Sequence, residues 1–136
     1  MYYPLLVYGD FAPLVLRIVL GIAFVVHGYP KLFNQETRVG FAGWLGSMGI
    51  KPGAFWALIV GVVEFFGGIA LILGVYIQLV ALLIVINMLV AMWKAKWGKV
   101  GFTAQGGWEI DLAYMAIALS LIFTGAGAWG IDTYFI

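Results

Sequence analysis

Four long apolar stretches divide the chain, over residues 13–33, 54–74, 76–93 and 108–124, with polar or glycine-bearing segments between them. A helix needs about 20 apolar residues to cross a bilayer, whereas a barrel strand needs only about 9–11. The stretches therefore predict helices. Pro13 suits a first helical turn, and Pro52-Gly53 breaks the chain ahead of the second stretch. Only a tight turn around Gly74 separates the second and third, so these two predict an antiparallel hairpin. Gly125, Gly127 and Gly130 end the fourth. The expected fold is all-α: a single integral membrane domain over residues 1–136, built as a four-transmembrane-helix bundle. No Lys or Arg precedes Arg17, and the first stretch is long for a leader, so it reads as a span rather than a cleaved signal.

Two connections carry patterns of their own. In segment 34–53, Phe41, Trp44, Leu45 and Met48 recur at i, i+3, i+4 and i+7. That spacing predicts a short amphipathic helix lying at the membrane interface between the first two spans. Gly40, Gly43, Gly46 and Gly49 recur every third residue there; they lower helix propensity and are expected to let the segment press closely on the spans. Segment 94–107 is basic, then glycine-rich.

Composition narrows the class. Of 136 residues, 65% are hydrophobic and 10% charged, and the mean hydropathy is +1.09. Disorder requires the opposite balance, and a soluble domain carries about a quarter charged residues. Lipid is the expected solvent. A net charge of +1 without a strong basic patch argues against nucleic acid as a partner. The chain has no cysteine, which excludes disulfides, thiol catalysis and cysteine-ligated metal clusters within it. A single histidine cannot supply two imidazoles to a haem. No metal-ligand spacing, phosphate loop or flavin-binding motif is evident, so no metal, haem or flavin is expected.

The charges suggest an orientation. Lys31, Arg38, Lys51, Lys94, Lys96 and Lys99 flank or occupy the first and third connections, which lie on one side. Asp10, Asp132 and the uncharged hairpin turn lie on the other, with Arg17 the only cation towards it. The positive-inside rule then places both long connections in the cytoplasm and both termini outside, in the cytoplasmic membrane. Trp56, Trp93, Trp97 and Trp108 mark the inner interface; Tyr8, Tyr76 and Trp129 mark the outer.

Charged groups within a span cost about 2.5–3.5 kcal/mol each on insertion scales, so each needs a reason. The candidates are Arg17, His27 and Lys31 in span one, Glu64 in span two, Asn87 in span three, and Glu109 and Asp111 in span four. With midplanes set near Ala23, Glu64, Val85 and Ile117, Arg17 lies about 9 Å to the outer side and His27 about 6 Å to the inner. Asn87 lies about 3 Å to the inner side, and Lys31, Glu109 and Asp111 about 9–12 Å. Glu64 sits mid-span without a charged neighbour on its own helix. Gly61, Gly67 and Gly68 share its face, where small residues allow another helix to approach. Arg17, Gly21, Phe24, Gly28 and Lys31 fall within roughly 80° of arc on span one, with His27 at the stripe's edge.

The expected partner of Glu64 is Arg17 or His27, directly or through water. Arg17 has the alternative of snorkelling outward to Asp10 or Asp132. Lys31 reads as an interfacial anchor forming a structural ion pair with Glu109 or Asp111, and Asn87 as an interhelical hydrogen-bonding group. The chemical alternative is a buried proton or quinone site: Glu64 and His27 would be the exchangeable, catalytic groups, and Arg17, Lys31 and Asn87 would complete the candidate set.

These residues resemble the DoxX-like family of small membrane proteins. The resemblance is carried by Leu16-Arg17-Ile18-Val19-Leu20-Gly21 and by His27-Gly28-Tyr29-Pro30-Lys31-Leu32-Phe33, which is similar to the family's His-Gly-x-x-Lys-Leu-Phe signature. Gly40-Phe41-Ala42-Gly43-Trp44-Leu45, Val60-Gly61-Val62-Val63-Glu64-Phe65-Phe66-Gly67-Gly68, Asn87-Met88 and Gly106-Gly107-Trp108-Glu109 also fit. Two positions depart: Ile77-Gln78 stand where members often carry Thr-Arg, and Lys94 where a histidine often follows span three. The resemblance implies a compact four-helix membrane protein. It also implies kinship with the small subunit of a thiosulfate:quinone oxidoreductase, which passes electrons from a sulfur compound to membrane quinone.

The leading expectation is a small integral subunit of a redox or respiratory assembly bordering a quinone site. Quinone is then the candidate cofactor, and lipid together with other membrane subunits or further copies of the chain are the expected partners. The competing classes are a structural or assembly subunit with no chemistry of its own, and a small proton-coupled transporter.

Overall fold

A computed structural model describes residues 7–135, and no strand occurs among them. Six helices follow in order: α1 (Phe11–Phe33), α2 (Gln35–Ser47), α3 (Gly53–Leu73), α4 (Ile77–Val90), α5 (Glu109–Thr124) and α6 (Ile131–Phe135). Beyond Val90, α4 continues into a wider turn over Ala91–Lys96. There the Trp97 N–H reaches the Met92 carbonyl, five residues back, at 2.7 Å. Such a wide turn adds girth to a helix and redirects the side chains that follow it.

Three helices are long and apolar enough to cross a membrane: Phe11–Phe33, Gly53–Leu73 and Ile77–Lys96. The fourth expected span corresponds to α5, whose 16 residues begin with Glu109 and Asp111. Its rise is about 24 Å, short of a typical hydrocarbon core of about 30 Å.

The outward faces explain the composition. On α1, Val15, Val19, Ile22 and Val26 form one stripe at helical spacing, and all four are exposed. Phe66 on α3 and Leu79, Leu82 and Ile86 on α4 are exposed too. A soluble monomer rarely shows contiguous apolar surface on this scale. The inward faces build a core from Leu20 and Phe24 of α1, Leu71 of α3, Ile77, Ala81 and Ile84 of α4, and Ala118 and Leu121 of α5. In that core α1 packs on α3 and α5, and α4 packs on α3 and α5.

The α1–α3 contact is the closest. A Cβ added at Gly21 would lie 2.7 Å from the Gly68 carbonyl oxygen, and one at Gly68 would lie 2.6 Å from the Gly21 oxygen. One turn and more towards the other end, a Cβ at Gly28 would lie 2.8 Å from the Phe65 Cα. The two backbones touch because glycine leaves nothing between them, a packing that membrane helices favour.

Helix α2 starts at Asn34, whose side-chain oxygen accepts the Thr37 N–H at 3.0 Å as an N-cap. Its glycines do not pack as the sequence suggests. Added Cβ atoms at Gly40, Gly43 and Gly46 would meet nothing within 4 Å. Gly40 and Gly43 lie on the side of α2 turned away from the spans, and the close approach occurs instead where Gly53 of α3 meets the Ala42 carbonyl and the Gly46 backbone nitrogen. The spacing of Phe41, Trp44, Leu45 and Met48 sets which side of α2 turns inward, and Leu45 is buried.

The glycine-rich end of the chain also holds a helix that the apolar pattern does not predict. In α6, the two Asp132 oxygens accept the backbone N–H groups of Tyr76 at 2.6 Å and Ile77 at 2.8 Å. The Asp132 N–H in turn donates to the Gly74 carbonyl at 2.9 Å. A residue 55 positions downstream thus satisfies the orphan donors at the start of α4. Gly74, at φ 77°, makes the turn between α3 and α4.

Gly28→Ala is expected to destabilise the protein by about 1–3 kcal/mol, the usual cost of overpacking. Gly43→Ala should stabilise it by up to about 1 kcal/mol, because it raises helix propensity in open space. Denaturant titration in mild detergent checks both, and equal effects would contradict the packing described.

Candidate functional site

Glu64 is the buried carboxylate of α3, with 4% of its surface exposed. Its Oε2 accepts a hydrogen bond from Lys31 Nζ at 2.7 Å, and its Oε1 accepts one from Asn87 Nδ2 at 3.1 Å. Three helices therefore meet at one carboxylate. Gly61 lies one turn away on α3, and a Cβ there would come within 3.4 Å of the Lys31 Cβ. The Leu32 side chain is nearer still, at 2.9 Å, so the missing side chain makes room for Leu32 beside the lysine. Lys31 Nζ also sits 4.7 Å from the centre of the Phe41 ring of α2, a cation–π position that helps hold it in place.

Neither Arg17 nor His27 is the partner of Glu64, contrary to the sequence expectation. Arg17 is fully buried at the far end of α1, where its Nη1 donates to the Leu71 carbonyl at 3.0 Å and the Ile72 carbonyl at 3.2 Å. It satisfies the last carbonyls of α3, where a cation also suits the helix dipole. The reason is axial register. The expectation sets Ala23 opposite Glu64, but Gly28 is the residue packed against Glu64 and Phe65. That shift of five residues is about 7–8 Å, which takes Arg17 out of reach and brings Lys31 in. The outward alternative for Arg17 is not realised either: among the described residues it forms no ion pair with Asp10 or Asp132, and the Asp132 carboxylate is engaged with the start of α4.

Lys31 consequently does not pair with Glu109 or Asp111. Asp111, buried in the first turn of α5, meets Lys96 at 2.6 Å. Lys96 Nζ lies 3.3 Å from the Gly107 carbonyl as well. The wide turn of α4 brings Lys96 to that position. Glu109 is exposed and forms no ion pair among the described residues.

The Lys31–Glu64–Asn87 cluster forms one wall of a cavity of about 550 Å³. Its other walls come from five sides: Phe24 and His27 of α1, Trp44 and Met48 of α2, Trp56 and Val63 of α3, Met88 of α4, and Tyr114 of α5. His27 sits beside the cluster rather than in it, with its ring edge-on to Tyr114 at a centroid distance of 6.2 Å. The polar groups gather at Glu64 and at the Lys96–Asp111 pair, with Lys94 and His27 also on the lining, and the remaining walls are apolar or aromatic. A space of a few hundred Å³ with apolar walls and a few convergent polar groups is the usual form of a small-molecule site.

Of the residues singled out from sequence, Lys31, Glu64, Asn87, His27 and Asp111 line this one space, while Arg17 and Glu109 lie outside its lining. Tyr114 was not among the candidates. It stands three residues after Asp111 on α5, and that spacing puts the two on one helix face. Among the described residues no group of three or more His, Cys, Asp or Glu side chains could hold a metal ion.

Apolar faces turned outward and a charged cluster turned inward define a membrane protein, and comparison with known proteins agrees. The chain belongs to the DoxX family, whose model matches residues 12–97. It is 32% identical over 123 residues to a protein of Haemophilus influenzae named only as uncharacterized, a match covering 88% of this chain and 87% of that protein. It is 27% identical over 125 residues to the Bacillus subtilis protein named "Putative oxidoreductase CatD", covering 92% of this chain and 87% of the relative. A third relative, the Mycobacterium tuberculosis membrane protein Rv3486, is 28% identical over 142 residues, covering 96% and 86%. No solved structure matches the chain significantly.

Removing Lys31 while keeping Glu64 should leave a buried carboxylate without its cation. Lys31→Met is expected to cost about 3 kcal/mol, the low end for breaking a buried ion pair. The double variant Lys31→Met/Glu64→Gln should regain most of that loss. A double-mutant cycle by denaturant titration in detergent checks the coupling, and additive costs would show that the two side chains do not interact.

Proposed function

We propose that this chain is a small integral subunit of a membrane redox or respiratory assembly, and that its cavity receives the head of a quinone. The observation that carries this reading is the ion-paired, amide-bonded Glu64 in the wall of a mainly apolar cavity of about 550 Å³. Aromatic walls from Phe24, Trp44, Trp56 and Tyr114 suit a planar ring. Lys31, Asn87 and His27 offer hydrogen-bond donors to ring oxygens. The relative named as an oxidoreductase is consistent with redox work.

A bound quinone would supply two-electron, two-proton chemistry, with the electrons coming from a donor held by a partner subunit. The chain's own residues would bind, orient and exchange protons. Lys31 Nζ and Asn87 Nδ2 are already fixed on Glu64, so both are oriented before a ligand arrives. Glu64 and His27 would be the proton-exchanging groups, and Phe41, Trp44 and Met48 of α2 would screen the ring from water.

In this reading α5 crosses the membrane as a fourth, shorter span beside α1 and α4, in a multi-pass protein of the cytoplasmic membrane. The six cations that flank the first and third connections then face the cytoplasm, and both termini face outward. A reporter fused to the C-terminus should be active outside the cytoplasm, whereas activity confined to the cytoplasm would reverse the orientation.

A second reading, a structural subunit without chemistry, draws on the fact that both Glu64 oxygens already have partners. One experiment separates the two. In the native complex, extracted gently with its partner subunits, Glu64→Gln should leave folding largely intact and lower quinone-linked turnover by a factor of about 10²–10⁴, the usual contribution of a positioned acid–base group. Lower stability with unchanged turnover in the surviving complex would favour the structural reading.

A further inference from the structure

We propose that the cavity opens sideways to the lipid between α3 and α4, and that a ligand's apolar tail lies in a groove along Gly67 and Val80. This rests on the quinone reading for the identity of the head and names where a long prenyl tail goes.

The case begins with a second hollow, of about 220 Å³, lined by Val62, Val63, Phe66 and Gly67 of α3 and by Val80 and Leu83 of α4. No polar side chain lines it. Val63 and Leu83 also line the larger cavity, so the two spaces lie on either side of that pair, and a small movement of these two side chains would join them. The hollow continues the cavity away from the charged cluster: Gly67 lies about 4–5 Å further along α3 than Glu64. A polar site thus adjoins a wholly apolar groove, the division that an amphiphile with a ring head and hydrocarbon tail requires.

The cavity has exposed edges elsewhere too, at His27, Trp44, Trp56 and Ile110, but it is the α3–α4 side that adjoins a hollow without polar lining. Between α1 and α3 the backbones touch at Gly21, Gly28 and Gly68, with no room for a chain. Over the end bordered by α2, Leu45 is buried and Phe41 is held by Lys31. Between α3 and α4 the wall is one residue thick: Ile59, Leu83, Ile86 and Val90 line the cavity and yet are 38%, 40%, 50% and 41% exposed. Gly67 keeps the groove open, since a Cβ there would come 3.3 Å from Val80 Cγ1. Any larger side chain at that position projects into the space between the helices.

The test uses the full chain in phosphatidylcholine nanodiscs and two probes with the same naphthoquinone ring, one carrying a long polyprenyl chain and one only a methyl group. Trp44 and Trp56 line the cavity, so ring binding is read as quenching of tryptophan emission. Gly67→Val and Leu83→Phe, which obstruct the groove at two separate points, should each weaken the polyprenyl probe at least about tenfold relative to the methyl probe on the same variant. That factor corresponds to losing the burial of about two methylene groups. If both probes weaken by the same factor, or neither changes, the lateral groove is overturned while the quinone reading stands. If neither probe binds the unaltered protein, the quinone reading itself falls.

Discussion

Gly21 and Gly28 of α1 and Gly68 of α3 let two apolar helices meet backbone to backbone, and the placement of Arg17, Lys31 and Glu64 follows from that contact. Ile72 packs against Gly21 and Val25 against Gly68 across the seam, so the helices cannot slide without a clash. The fixed register sets Arg17 over the last carbonyls of α3 and Lys31 over Glu64. Each cation then has acceptors at its own depth. In hydrocarbon an unpaired charge is costly, so the packing of neutral glycines and the pairing of charges select the same arrangement.

The two ends of the helix pair are used differently. At the Arg17 end the structure is sealed: the guanidinium caps α3, Gly74 turns the chain, and Asp132 of α6 caps α4. These are local hydrogen-bond problems at helix termini, solved by side chains from distant parts of the sequence. At the Lys31 end α1 and α3 stay in contact, with Leu32 against Gly61, and the cavity lies beside them, bordered by α2 and the wide turn of α4. A tight seam and an open chamber on the same helix pair make one end a hinge-free anchor and the other a place for a ligand. The Lys96–Asp111 pair braces the far side of that chamber between α4 and α5.

Much of this was legible in the residues. Apolar run length announced helices and lipid, and the helical spacing of Phe41, Trp44, Leu45 and Met48 marked the face of α2 that turns inward. Glu64 stood out because a lone carboxylate amid Gly61, Gly67 and Gly68 has no partner on its own helix. The partner could not be read the same way. Span midpoints estimated from sequence were about five residues out of register on the α1–α3 pair, and that was enough to exchange Lys31 for Arg17. Tyr114 escaped notice because nothing in α5 marks one aromatic as cavity-facing until the opposite walls are in place. The glycines of α2 show a related limit: repetition suggests contact along the whole row, yet Gly40 and Gly43 face open space and Gly46 approaches α3 through its backbone nitrogen.

The sequence by itself determined the solvent, the helices and their inward faces, because apolar length and periodicity are properties of one segment at a time. It also determined that Glu64 needed a partner, because the cost of a buried carboxylate depends on its surroundings in general rather than on any one neighbour. The tertiary structure decided who that partner is, where Arg17 goes, and that Asp132 should cap a helix 55 residues upstream. Those outcomes depend on axial register and on contacts between segments. Periodicity fixes how a helix is rotated, but only the meeting of one backbone with another fixes how far along it lies.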